Sequence, residues 1–170
     1  RAKRGVNGAP ITAMVTPAFV SHDSQLGNVD DVFNGIMVRG DATGDVVFYG
    51  KGAGKLPTAS AVVADVIDCV KHCKARKYLF WEDAKPNYVA DFGSMETSAF
   101  VRVSAKDSDT ALNTAADVFG KITPLLAKRP VQGEAGFTVE NLTEKELSDK
   151  LAALEARGVK VEGRIRISDY

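Results

Sequence analysis

Apolar positions as far as Tyr49 come as short runs, whereas those of Pro57 to His72 recur at helical spacing and those from Ser98 onward alternate or recur at helical spacing. Ile11 to Thr16 is one such run, ended by Pro17, and it predicts a first strand after a basic, glycine-containing loop from Arg1 to Ala9. Phe33 to Arg39 and Asp45 to Tyr49 predict two strands, joined by Gly40-Asp41-Ala42-Thr43-Gly44 at a length that suits a hairpin. Because their apolar runs are continuous, both strands are expected to be largely buried. From Pro57 to about His72, Ala59, Val62, Val63, Val66, Ile67 and Val70 recur at helical spacing, with Asp65, Asp68 and Lys71 around the rest, so a helix is expected there.

Lys74 to Thr97 shows no sustained period and holds Pro86, Asn87, Gly93 and Ser94, which places a domain boundary in it. The cluster Tyr78-Leu79-Phe80-Trp81 should dock against a domain or add a strand; it lacks the basic surroundings that base stacking needs. From Ser98 onward a compact βαββαβ order follows. Ser98 to Ala105 alternates as a strand, and a helix from about Asp109 to Lys121 puts Leu112, Ala115, Phe119 and Ile122 on one side. Ile122 to Ala127 and Glu134 to Val139 are strand candidates. Thr143-Glu144-Lys145-Glu146 is a capping box that opens a helix with Leu147, Leu151 and Leu154 on its core side, and Gly158 stops it. Val159, Val161, Ile165 and Ile167 then alternate with Lys160, Glu162, Arg164 and Arg166 as a half-buried strand. Two helices on one face of a four-stranded antiparallel sheet make a ferredoxin-like arrangement, so the fold class is α+β.

The stretch with the most chemistry lies between the second hairpin strand and the helix. In Tyr49-Gly50-Lys51-Gly52-Ala53-Gly54-Lys55-Leu56-Pro57-Thr58, three glycines at every second position let backbone amides approach a ligand, and Pro57 suits a first helical turn. Free amides in such a turn can hold an anion. It is not a Walker loop, because Tyr49 stands at the first glycine position and Leu56 where the metal-binding hydroxyl belongs. Nor does the spacing of Gly50, Gly52 and Gly54 make a Gly-x-Gly-x-x-Gly fingerprint. Taken alone, the turn reads equally well as tight strand-to-helix geometry or as an unrelated glycine-loop anion binder.

The flanks of the turn carry a family resemblance. Asn34-Gly35-Ile36-Met37-Val38-Arg39-Gly40-Asp41-Ala42-Thr43-Gly44, then Phe48 to Gly54, then Leu56-Pro57-Thr58-Ala59-Ser60-Ala61-Val62-Val63-Ala64-Asp65 resembles the end of the catalytic domain of bacterial homoserine dehydrogenase. That resemblance covers about residues 9 to 72, and the remainder resembles the C-terminal ACT domain of single-function members. It implies three parts: 1–73 as the end of the catalytic domain, a mixed sheet with a long helix; 74–97 as a linker; and 98–170 as an ACT-like regulatory domain. It further implies an NAD(P)-dependent oxidoreductase that interconverts homoserine and aspartate semialdehyde on the route to threonine, methionine and isoleucine. Gly54 is then expected to lie with its backbone against NAD or NADP, helped by Gly52, Ala53 and Thr58. The dinucleotide would be held mainly by an N-terminal domain outside this chain, together with the catalytic lysine and carboxylate, and the helix after the turn would pack against that domain. The chain is therefore expected to be a C-terminal piece, inactive alone and with no catalytic residue to assign. ACT domains usually carry Asp-x-Pro-Gly after their first strand, but here the turn is Asp107-Ser108-Asp109-Thr110, so a Cβ should crowd any amino-acid effector. Subunit pairing, as a homodimer, is the larger expectation for this domain, with effector binding the alternative.

Composition narrows the rest. Twenty-two basic residues balance 22 acidic ones and no apolar run approaches the roughly twenty residues that span a bilayer, so neither a nucleic-acid partner nor a membrane is expected. Cys69 and Cys73 suggest no disulfide framework; they are expected as buried thiols in a reducing cytoplasm, and with His72 they fall short of the four ligands of structural zinc. His22-Asp23-Ser24 offers the residue types of a hydrolase triad, but three consecutive residues cannot converge on one atom, and a solvated loop is the expectation.

Overall fold

The computed structural model describes residues 1–5, 9–75 and 80–168, and divides into two compact units, residues 1–19 with 84 onward and residues 20–83. In chain order the elements are β1 (Ala2–Lys3), β2 (Thr12–Ala13), β3 (Ala18–Val20), β4 (Phe33–Gly40), β5 (Gly44–Lys51), α1 (Lys55–Lys71), β6 (Glu96–Ser104), α2 (Ser108–Phe119), β7 (Thr123–Leu125), β8 (Glu134–Thr143), α3 (Glu144–Ala156) and β9 (Lys160–Ser168).

In the first unit the sheet order is β3-β9-β6-β8-β7, with β6 antiparallel to both β8 and β9 and β7 antiparallel to β8. The βαββαβ order expected from Ser98 onward is present, with one strand more. Period-two alternation buries Ala99, Val101 and Val103 of β6 against Val139, Phe137 and the α2 and α3 faces, since successive residues of a strand point to opposite sides. Helix α2 contributes Ala111, Ala115 and Phe119, and α3 contributes Leu147, Leu151 and Leu154. Leu112 and Ile122, expected among the core residues, are only partly buried and pack at its margin.

Local chemistry sets the ends of these elements. Asp107 caps α2 by accepting from the Thr110 amide at 2.6 Å. At α3 the capping box is complete: Thr143 Oγ1 accepts from the Glu146 amide at 3.2 Å and the Glu146 carboxylate accepts from the Thr143 amide at 2.8 Å. Gly158, at φ 80°, ends the helix in a Schellman turn, with Val159 N donating to Leu154 O at 3.1 Å. In β8 one extra residue opposes β6 between Val139 and Leu142, and Asn141 takes φ 57° there, a bulge that no alternation pattern announces.

Sequence expectations for residues 1–20 need correction. The predicted strand Ile11 to Thr16 shrinks to Thr12–Ala13, while Ile11 instead bridges Val89 in parallel. A strand appears after Pro17, at Ala18–Val20, because its partner is β9 far along the chain and not a local neighbour. Residues 84–97 also belong to this unit: Ile11 N donates to Tyr88 O and Ala90 N to Ile11 O, both at 2.8 Å.

The second unit holds the hairpin β4–β5 and the helix α1. Strands β4 and β5 pair antiparallel from Phe33↔Lys51 to Gly40↔Gly44, and Gly44 at φ 69° closes the turn. Near that turn Arg39 makes a forked pair with Asp45, Nε to Oδ1 at 2.6 Å and Nη2 to Oδ2 at 2.8 Å. The Arg39 hydrogen bond holds the Asp45 carboxyl below its ordinary pKa. Contrary to the expectation of burial, Ile36, Val38 and Phe48 are 56%, 50% and 62% exposed. Their runs are apolar on both faces, but a two-stranded ribbon supplies no second layer. Helix α1 also contains no buried residue, and Cys69 in it and Cys73 just beyond it, expected as buried thiols, are exposed. Ser24 departs in the other direction: it is buried, because its Oγ accepts the Leu26 amide and caps the short 3-10 turn Gln25–Asn28. Of the aromatic cluster, Tyr78 and Leu79 lie outside the described residues, and Phe80 and Trp81 are exposed.

Candidate functional site

The glycine turn sits where β5 hands over to α1, and each glycine meets a different constraint. Gly54 is the N-cap of α1, with φ 124° and ψ 152°, a backbone conformation that side chains rarely adopt. A Cβ there would lie 3.4 Å from Pro57 Cδ, an ordinary contact, so the dihedral and not crowding calls for glycine. At Gly52 crowding decides: a Cβ would come within 3.0 Å of Asn34 Cβ on the facing strand. Gly50 has neither reason. Nothing lies within 4 Å of where its Cβ would be, so its bare backbone faces open space.

Ala53 and Thr58 complete the predicted set, and the structure brings it together as one bend followed by a helical turn. Thr58 N donates to Gly54 O at 3.1 Å and starts the helical ladder. The helix begins at Lys55, two residues before the expected start, so Pro57 is its third residue. Within a first turn the amides have no intrahelical acceptor, and Pro57 has no amide to satisfy. The N–H groups of Lys55 and Leu56 are thus the donors this end presents, two positions missed because the start was placed at Pro57. Glycine is tolerated at an N-cap, and Gly54 before Lys55 was the signal in the sequence that could have placed the start there. Lys51 and Lys55 add positive charge beside the positive end of the helix dipole.

Other side chains around the bend are structural. The Phe33 and Tyr49 rings stack at 4.9 Å and 8° across the hairpin, and Lys51 Nζ lies 5.9 Å from the Phe33 ring. No carboxylate is paired with a lysine at this bend among the described residues. His72 Nδ1 lies 3.0 Å from Asp68 Oδ1 at the far end of α1, and no group of three or more metal-ligating side chains forms among the described residues.

A bend of this kind can hold an anionic, phosphate-bearing ligand through backbone amides, and its sequence matches one family. The homoserine dehydrogenase family model covers residues 2–67, which span the hairpin, the glycine bend and most of α1. Residues 2–67 belong to the homoserine dehydrogenase family. The chain is 32% identical to the homoserine dehydrogenase of Neisseria gonorrhoeae over 88% of its own length, and 47% identical to that of a Synechocystis strain over 39%. A crystal structure of a homoserine dehydrogenase from Thiobacillus denitrificans superposes with a TM-score of 0.76 at 28% identity, covering 99% of this chain. The homoserine dehydrogenase likeness therefore extends through the βαββαβ unit as well as the family-matched segment. The chain spans 38% of the length of the Neisseria relative and 41% of the Thiobacillus chain.

Proposed function

We propose that this chain is the C-terminal part of an NAD(P)-dependent homoserine dehydrogenase, interconverting homoserine and aspartate semialdehyde in threonine, methionine and isoleucine biosynthesis. The observation that carries the reading is the bend at Gly54, a helix N-cap with a bare backbone inside the family-matched segment. Gly54, with Gly52, Ala53 and Thr58, lets the dinucleotide approach the chain, and the Lys55 and Leu56 amides face its negative charge. The cofactor, when bound, supplies the hydride chemistry; these residues supply position and electrostatics. Most of the dinucleotide, and the catalytic lysine and carboxylate, belong to an N-terminal domain outside this chain, so the chain alone is inactive. That domain also covers α1, whose Val62, Val63, Val66, Ile67 and Val70 are 48–68% exposed. The enzyme works in the cytoplasm, and no helix among the described residues is long and apolar enough to cross a membrane.

Joining the chain to an N-terminal homoserine dehydrogenase segment and following NADPH oxidation with aspartate semialdehyde tests the reading. Turnover is expected; a well-folded product without turnover removes it. In that enzyme Gly54→Val is expected to raise the cofactor KM about tenfold or more, and an unchanged KM would make the bend purely structural.

For residues 98–170 the proposal is an ACT-like domain that pairs subunits in a homodimer. The turn after β6 supports pairing over sensing: Asp107 is engaged in capping α2, and Asp109 and Thr110 stand where an effector pocket needs Pro and Gly. Calorimetry with threonine, methionine and isoleucine is expected to give no saturable heat, and saturable heat for one of them would make this an effector domain.

A further inference from the structure

Among the described residues the first unit contains one buried ion pair, and four separate segments of the chain meet at it. Arg166 on β9 donates from Nε and Nη2 to the two carboxylate oxygens of Glu144 at 2.5 and 2.7 Å, and the Glu144 side chain is 1% exposed. Glu144 is the first residue of α3, and its own amide donates to Met95 O at 2.9 Å, just before β6. The guanidinium also stands 5.5 Å from the Phe92 ring, in the 3-10 turn Phe92–Ser94. Its remaining arm, Nη1, reaches Thr16 Oγ1 at 2.6 Å, 150 residues away. Thr16 lies in the family-matched segment, between Ile11, tied to Tyr88 and Ala90 by backbone bonds, and β3, which joins the sheet beside β9. Phe19 of that strand meets Phe100 edge-on at 5.9 Å.

A planar guanidinium with five fixed donors cannot satisfy one partner independently of another. When two arms are held by the Glu144 carboxylate, the direction of the third is set, and so is the place where Thr16 must stand. We propose that Arg166 is a latch that couples the seat of residues 11–20 to the N-terminus of α3. A shift of that helix end, whether from subunit pairing or from a ligand, is passed to residues 11–20, inside the family-matched segment. This inference concerns the first unit alone and stands whether or not the dehydrogenase reading holds.

Hydrogen exchange read by mass spectrometry tests it on the chain and on Thr16→Val, Glu144→Gln and their double variant. Thr16→Val removes the acceptor and leaves the ion pair, and is expected to speed exchange in residues 11–20 about tenfold, as for loss of a charge-assisted hydrogen bond. Glu144→Gln, which changes no residue near Ile11 in sequence, is expected to speed the same amides by a similar factor, and the double variant no more than either single one. The centre of β6 stays slow in all three. The proposal is overturned if Glu144→Gln leaves residues 11–20 unchanged, if the two effects multiply, or if the centre of β6 comes to exchange as fast as residues 11–20. If Glu144→Gln does not fold, Arg166→Lys with Thr16→Val completes the same cycle, because a lysine amine cannot fork to the carboxylate and reach Thr16 together.

Discussion

Val101 and Val62 both sit in regular elements of one chain, yet Val101 is 0% exposed and Val62 is 58% exposed. Every buried hydrophobic side chain among the described residues falls between Met95 and Val159, in the βαββαβ unit. The described residues of 20–83, which carry the glycine bend and most of the family match, bury none. The difference teaches where each half finds its stability. In the βαββαβ unit a sheet face is covered by two helices of the same unit, so the chain closes its own core. The hairpin and α1 also carry many apolar side chains but supply neither each other nor themselves with a covered face, so Ile36, Val38, Phe48, Val62 and Val66 stay exposed.

The largest effect that could break this comparison comes from truncating one residue in each half. Phe137→Ala is expected to destabilise the βαββαβ unit by about 3–5 kcal/mol, since it empties the centre of the core beside Phe119. Val66→Ala in α1 should change the stability of the chain by less than about 0.5 kcal/mol. Denaturant unfolding of both variants measures the contrast, and comparable losses would contradict it.

A second prediction concerns the buried pair. Burial raises the pKa of the Glu144 carboxyl, but the Arg166 hydrogen bonds and charge, with help from Thr97 and Arg164, outweigh it and leave it below the ordinary carboxylate value. A group whose pKa is lowered by folding binds its proton more weakly in the folded chain, so its contribution is present above the ordinary carboxylate value and is lost as pH falls through the depressed one. Glu144→Gln should cost about 3 kcal/mol near neutral pH, because it leaves a nearly buried guanidinium without its counter-charge. Unfolding midpoints recorded from neutral to acid pH should fall less steeply in the variant than in the parent; parallel curves would show that the pair does not set the acid limb.

The smallest effect sharpens the comparison at a helix end. Thr143→Ala removes the α3 cap and should cost about 1 kcal/mol, readable as a lower denaturant midpoint with unchanged slope. Helix α1 has no side-chain cap to lose, only the dihedral freedom of Gly54.

The self-contained half was the more legible one in the sequence. Leu147, Leu151 and Leu154, the Thr143–Glu146 box and Gly158 each state a local rule that the fold obeys, so pattern and structure agree. What escaped notice there was non-local: β3 is a strand because β9 lies beside it, and the Asn141 bulge adjusts register in a way that alternation cannot show. In the other half the element types were readable from Phe33 to Lys71, but their burial was not. A continuous apolar run states that both faces want covering without stating what covers them. The site shows the same division: the glycine turn between strand and helix was legible, whereas Gly54 as the cap and the Lys55 and Leu56 amides depended on a helix start two residues earlier than Pro57 suggests.

Hydrogen exchange of the hairpin and α1, measured in the chain alone and again after joining the proposed N-terminal segment, tests the asymmetry most directly. Protection of residues 33–51 and 55–71 should rise by orders of magnitude on joining, while that of residues 96–168 stays as it was. Hairpin and helix amides already as slow in the chain alone as those of β6, and unmoved by the added segment, would contradict the account.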